Sequence, residues 1–256
     1  MAVGTRHITG RAVTTAKLGT DVKVKNGYVY EDFKGPAICV SDLGGGAASG
    51  TGGQVNFCSM GGHVFEIHVK GTQTILGPAR TATGLDISQD QTDNDGVEWT
   101  TGILSRGENV FTAGTSGAFS FSLKLKITDV SGTDDCCVGF RKAEAYQANV
   151  DDYDEAAFLN VILGDIYIET ILNNAATTST DTTNNWTDGE TKTLKVLVSA
   201  ARAVTYTIDG AAPVTTAAFT FDSGEVLVPF FFFLQATTSP GIVELIEWVS
   251  GLDSEA

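Results

Sequence analysis

The sequence predicts an all-β chain: an antiparallel, two-sheet β-sandwich preceded by an extended N-terminal arm and a small β subdomain. Three observations predict it. Phe119 to Ile127 reads F-S-F-S-L-K-L-K-I, with apolar and polar residues alternating at every position, the period of a strand with one buried and one wet face. The same alternation recurs in L-K-V-L-V (Leu194 to Val198), V-T-Y-T-I-D-G (Val204 to Gly210) and I-V-E-L-I-E-W-V (Ile242 to Val249). Runs rich in Thr, Asn, Gly and Asp separate these segments, which is how antiparallel sheets stacked face to face are written.

Residues 1–34 read as an arm. V-K-V-K-N-G-Y-V-Y places an Asn-Gly turn between two alternating runs, a hairpin signal. Residues 35–83 read as a small glycine-rich β subdomain and linker: P-A-I-C-V and H-V-F-E-I-H-V-K flank the loop Leu43 to Gly53, and I-L-G-P-A-R-T-A-T-G-L-D-I follows. The sandwich is expected over 84–252, folding without the arm, and 253–256 is a polar tail. Within the sandwich, the apolar faces of Phe119, Phe121, Leu123 and Leu125, and of Val204, Tyr206 and Ile208, should line one inter-sheet core. The apolar run Val226 to Leu234 is too short to cross a bilayer and reads as a strand buried on both faces, with Pro229 marking an edge or a bulge. Neither a signal peptide nor a membrane span is expected.

The formal net charge is −15, unevenly placed. Residues 1–34 carry six cations against Asp21, Glu31 and Asp32, a net of +3, so the other 222 residues carry −18. An acidic body excludes nucleic acid as its partner, since phosphate neutralisation needs a basic face. The basic arm reads either as a docking element for an acidic surface or as chance segregation. Its docking residues would be Arg6, Arg11, Lys17, Val22, Lys23, Val24, Lys25 and Tyr28, with strand addition and burial supplying affinity and charge supplying orientation.

No stretch concentrates the chemistry of an enzyme. Cys39, Cys58, Cys136 and Cys137 lack zinc spacing and read as four reduced packing residues; adjacent Cys136 and Cys137 would point to opposite faces. Asp90 to Gly96 fails the EF-hand pattern at Gln91 and Gly102 and reads as a solvated turn. Asp151, Asp152, Asp154 and Glu155 read as a charged loop. These two acidic loops are where a calcium ion would sit; no cofactor is expected. Leu43 to Gly53 lacks a phosphate-binding pattern, His7, His63 and His68 assemble no triad, and Asn185-Trp186-Thr187 is a sequon without a secretory signal. Glu244 and Glu247, three apart, would lie on opposite faces of a regular strand.

The segment N-W-T-D-G-E-T-K-T-L-K-V-L-V-S, followed by V-T-Y-T-I-D-G and the closing V-E-L-I-E-W-V, resembles the concanavalin A/laminin-G-like jelly-roll superfamily over roughly residues 97–252. The N-terminal R-H-I-T-G-R-A-V-T-T-A-K-L-G-T-D-V-K-V-K, with D-I-S-Q-D-Q-T-D-N-D-G-V-E-W, is similar to structural proteins of tailed bacteriophages. That likeness implies a non-enzymatic virion component, a trimeric capsid decoration (cement) protein made in the host cytoplasm. It would dock on the major capsid protein or another virion protein, with no nucleic-acid or membrane partner. The alternatives are a lectin-like head or tail fibre binding host-surface glycan and, third, a jelly-roll glycoside hydrolase.

Overall fold

The computed structural model describes residues 29–33, 37–41, 54–60, 63–71, 79–87, 91–103, 106–107, 110–237 and 243–253. In chain order the strands are β1 (Val29–Glu31), β2 (Ala37–Ser41), β3 (Gln54–Met60), β4 (His63–Lys70), β5 (Ala79–Arg80), β6 (Leu85–Asp86), β7 (Gly96–Thr100), β8 (Gly102–Ile103), β9 (Arg106–Gly107) and β10 (Phe111–Thr112). They continue with β11 (Phe119–Ile127), β12 (Thr133–Lys142), β13 (Ala156–Ile162), β14 (Asp165–Ile171), β15 (Thr178–Asn185), β16 (Thr191–Val198), β17 (Val204–Ile208), β18 (Val226–Gln235) and β19 (Val243–Leu252). Every pairing among the described residues is antiparallel. One sheet runs β17-β16-β11-β19-β6-β5 with β1 also on β19; the other runs β15-β14-β13-β12-β18-β7-β4-β3-β2 with β10 also on β18. The expected two-sheet antiparallel sandwich is what the chain forms.

Alternation decides the core. Phe119, Phe121, Leu123, Leu125 and Ile127 are fully buried, and Val204, Tyr206 and Ile208 join the same cluster from β17. Across the gap stand Cys136, Val138, Phe140, Leu159, Phe231 and Phe233 of the second sheet. Aromatic rings stitch the layers together: Phe121 meets Trp248 at 4.2 Å between centroids, and Phe119 meets Phe140 edge-on at 5.1 Å. Strand β18 is buried on both faces. Leu227, Phe231 and Phe233 enter the main core, while Phe230, Phe232 and Leu234 face a second apolar cluster with Val150, Tyr153, Phe158 and Ile171.

Three expectations are corrected. Pro229 is neither at a sheet edge nor at a bulge: it pairs with Phe140 in a central strand. Its carbonyl accepts from Thr100 Oγ1, so its N faces the same side, where β7 pairing has ended at Phe230 and β10 pairing begins only at Leu227. The missing N–H falls in that break and costs no ladder bond. Glu244 and Glu247 share a face rather than opposing each other. A bulge at Ile246 shifts the register, so Glu244 lies opposite Lys126 and Glu247 opposite Lys124. The cysteines are not all thiols. Cys58 is disulfide-bonded, and the residue opposite it in the β2–β3 register is Cys39; antiparallel pairing is what brings the two positions together. Cys136 and Cys137 are free and point into the two different clusters, as their adjacency on a strand requires.

The N-terminal strands are hydrogen-bonded into the sandwich. β1 pairs with β19 and buries Val29, Phe33 packs against Phe65 and Trp99, and β4 pairs with β7 from Glu66 to Lys70. A cut after residue 83 would part β4 from β7 and β5 from β6.

Two measurements check this description. Phe121→Ala should lower unfolding free energy by about 3–5 kcal/mol in denaturant titration, because the ring sits between two layers that cannot collapse onto the space. In denatured, unreduced protein, Cys136 and Cys137 should react with a thiol reagent and Cys58 should not; mass-mapped labelling of Cys58 would show the disulfide absent.

Candidate functional site

The inner face of the ten-stranded sheet is spent on the core, so functional side chains must come from its outer face. Register lines them up. Asn160, Cys137, Phe232, Glu98 and His68 occupy one row across β13, β12, β18, β7 and β4. The segment between β12 and β13, residues 143–155, folds back over this row and contributes Tyr146, Val150 and Tyr153.

A buried ion pair fastens that segment down. Glu98 is fully buried as the one charged residue of β7, and Arg141 grips it in a two-pronged contact, Nη2 donating to Oε1 at 2.7 Å and Nε to Oε2 at 3.2 Å. Tyr153 OH donates to the same Oε2 at 2.5 Å, and its ring lies 4.5 Å beneath the guanidinium carbon. Arg141 Nη1 reaches on to the Lys142 carbonyl at 2.9 Å. Burial works against the Arg141 charge, but the facing Glu98 carboxylate more than offsets it and the guanidinium stays ionised. Burial, and then the Glu98 charge, push the Tyr153 phenol well above its ordinary value, so it keeps the proton it donates. Gly139 completes the seat: a Cβ there would meet the Ala157 carbonyl oxygen at 2.3 Å and Phe158 Cβ at 2.5 Å.

Beside this network, β4 turns Glu66, His68 and Lys70 outward. His68 Nε2 contacts Glu66 Oε1, and the His68 ring stacks on Tyr146, centroids 4.7 Å apart and planes within 3°. Lys70 Nζ donates to Asn149 Oδ1 at 3.0 Å. Burial, and after it the Glu98 charge, raise the Tyr146 phenol pKa. Three buried atoms in this corner, Glu66 Oε2, His68 Nδ1 and Tyr146 Oη, have no hydrogen-bond partner among the described residues.

At the other end of the row, Asn160 Nδ2 donates to Asp135 Oδ1 at 2.7 Å and Glu169 Oε2 at 2.8 Å, while its Oδ1 accepts from Cys136 N. Burial pushes the Asp135 carboxyl up to about 7, the Asn160 amide pulls it down, and the Glu169 charge adds to the rise. Glu169 is raised for the same leading reason, with Asn160 and Ser179 opposing.

The residues singled out from sequence fall elsewhere. Arg6, Arg11, Lys17, Val22, Lys23, Val24, Lys25 and Tyr28 lie outside the described residues, as does Leu43 to Gly53. Residues 91–96 form a turn in which Asp95 Oδ2 accepts from Thr92 N and Oγ1, with Asn94 at φ 66°. The acidic loop disperses its groups: Asp151 accepts from Thr177, Asp152 from Asn149, Asp154 pairs with Lys142, and Glu155, raised to about 7 by burial, accepts from Asp222 N. Among the described residues, no three His, Cys, Asp or Glu side chains are arranged to hold a metal. Sequence reading missed Glu98, Arg141, Asn160 and Glu169. Their signal is a charge or amide at an outward position inside G-V-E-W-T, V-G-F-R-K, F-L-N-V-I and I-Y-I-E-T, since polar groups buried in apolar strands are retained only when partnered.

Asp135 generates a pH test. Its folded pKa, about 7, lies above the ordinary 3.8, so the native state holds a proton that the unfolded chain releases. That stabilisation is complete below about pH 4 and is lost as pH rises through 7. Asp135→Asn, which keeps an acceptor for Asn160, should therefore raise stability at pH 8 by roughly 1–2 kcal/mol and change little at pH 4. Equal effects at both pH values in thermal melts would contradict a buried, protonated Asp135.

No protein-family model matches the sequence, and no curated protein matches it in sequence. Solved structures do match in shape. The carbohydrate recognition domain of Emp46p in a potassium-bound form superposes with a TM-score of 0.53 at 6% identity, over 73% of this chain and 88% of that one. Its metal-free form gives 0.51 at 7% identity, over 73% and 87%. The carbohydrate recognition domain of Emp47p gives 0.50 at 11% identity, over 73% and 88%. At such identities the likeness is one of fold: this chain forms a two-sheet antiparallel sandwich of the same shape as those domains.

Proposed function

We propose that this chain is a non-enzymatic carbohydrate-binding sandwich and that the outer face of its ten-stranded sheet is the glycan-binding face. The observation that carries the reading is the grouping on that face of hydrogen-bonding side chains with aromatic rings, Glu66 and His68 beside Tyr146. Sugars are recognised by that combination, since rings cover C–H faces while acceptors and donors pair with hydroxyls. The fold shared with the Emp46p and Emp47p carbohydrate recognition domains supports the same class of ligand. Binding is favoured over hydrolysis because Glu98, the most deeply buried carboxylate of the face, has its oxygens taken up by Arg141 and Tyr153. The charge segregation of the sequence supports a second component of the reading: residues 1–34 anchor the sandwich to a larger acidic assembly, a virion surface, with a trimer multiplying the contact by avidity.

The full chain should retain neutral oligosaccharides on a glycan array and release no new reducing ends from them. Failure to retain any glycan, or turnover of one, would overturn the reading. A chain lacking residues 2–26, which keeps β1 and Phe33, should bind glycan as the full chain does and fail to co-sediment with particles.

A further inference from the structure

We propose that the open, acidic margin of the larger sheet, along β14 and β15, is where a second copy of this chain lays its basic N-terminal arm. The inference deepens the anchoring component of the reading above by naming one acidic surface that the arm meets, and it stands apart from the glycan component. Between Lys142 and Lys192 the sequence holds ten Asp or Glu and no Lys, Arg or His. That stretch supplies the covering segment, β13, β14 and β15, so one side of the molecule is written in a single sign of charge.

Three of those carboxylates stand exposed: Asp165 on β14, Asp181 on the neighbouring β15, and Asp151 on the covering segment. Asp151 accepts from Thr177 Oγ1 and Asp181 from Thr183 N, and among the described residues none of the three forms an ion pair. Tyr167 lies opposite Asp181 in the register, and burial followed by the charges of Asp165, Asp181 and Glu169 raises its phenol pKa. Like charges left unanswered repel one another, and a cationic partner relieves that repulsion while it orients its own approach.

The edge beside these groups is open as well. β15 ends the strand order of the larger sheet and pairs with β14. Among the described residues its other edge is met near its far end, where Thr215 N donates to the Thr182 carbonyl at 3.0 Å and Val214 N to Asn184 Oδ1 at 3.0 Å. Thr178 to Asp181 are left with an edge that can take one more strand.

The arm fits both features by its sequence. It sets six cations against three acids, and V-K-V-K, Val22 to Lys25, alternates apolar and basic residues. Added along Thr178 to Asp181, such a strand puts Lys23 and Lys25 on the acidic face and Val22 and Val24 on the other. A chain's own arm starts on the wrong side for this. It joins the sandwich at β1 beside β19, and Trp248 of β19 packs on Phe65 of β4. β4 and β15 are six strand spacings apart in the larger sheet, about 29 Å. A neighbour's arm makes no such detour, and arm-to-edge contact between copies is head-to-tail.

Sedimentation velocity on the full-length chain tests this. At about 100 µM the chain should self-associate in about 50 mM salt, and the association should weaken at least about tenfold in 500 mM, where surface charges are screened. Two altered chains should each be monomeric alone: the double variant Asp165→Lys with Asp181→Lys, which keeps the arm, and the chain lacking residues 2–26, which keeps the acidic margin. Mixed, they should form a one-to-one complex, since one brings the arm and the other the edge, and that complex shows both to be folded. Wild type that stays monomeric would overturn the docking between copies, including the case in which the arm lies on its own chain. If that monomeric chain still co-sediments with particles, the anchoring reading stands while this inference falls. Association that persists without residues 2–26, or two folded altered chains that fail to combine, would overturn it too. A chain that self-associates through the arm yet ignores particles would leave this inference standing and remove the virion surface from the reading.

Discussion

The outer face of the larger sheet depends on one buried ion pair. Glu98 stands on β7 among residues that are otherwise apolar or small, and a carboxylate in that position is tolerable only when its charge is answered. Arg141 answers it from β12, two strands away across β18, and Tyr153 answers it from the covering segment. Because the three groups come from a strand, a second strand and a connection, their agreement fixes where the connection lies. Removing either partner would leave a charge in the interior, at a cost of about 3–5 kcal/mol, which exceeds what a single apolar contact in the covering layer supplies.

That arrangement explains why the sheet can be apolar on both faces at β18. Phe230, Phe232 and Leu234 are covered by Val150, Tyr153 and Phe158, and the cover stays in place because Tyr153 is tied to Glu98. The sandwich therefore has two unequal cores. The main one is made by strand alternation from both sheets; the smaller one is made by a connection folded over strands, and polar groups at its two ends mark where its cover stops.

The two cores were not equally legible. The main one follows from period-two patterns such as F-S-F-S-L-K-L-K-I, where each residue declares its face, and the burial of Phe119 to Ile127 matches position by position. The run V-L-V-P-F-F-F-F-L declares burial on both sides, but not that Pro229 can occupy a central strand, because the break between β7 and β10 on its N side is set by residues distant in sequence. The same holds for Ile246: a bulge exists only relative to the partner strand, so the shared face of Glu244 and Glu247 could not be read from a spacing of three. The candidate site was least legible. Glu66, Glu98 and Arg141 are far apart along the chain, and only the register of β4, β7, β18 and β12 brings them to neighbouring positions. What the sequence did offer was the oddity of a charge within an apolar run, a mark of a partner without its address.

The pairing of β1 with β19 sets how the molecule bears load. Among the described residues at the N-terminal side, Val29, Tyr30 and Glu31 join the C-terminal strand, opposite Ser250, Val249 and Trp248, whereas β11 grips the other edge of β19 along its whole length. Tension applied at Val29 itself would load that short ladder before the longer ones behind it. Three residue pairs and the seating of Val29 and Phe33 would yield first, releasing slack chain while β11, β16 and β19 stay locked. Under a pull at Val29 this strand would give way as a mechanical fuse does, sparing the sheets behind it.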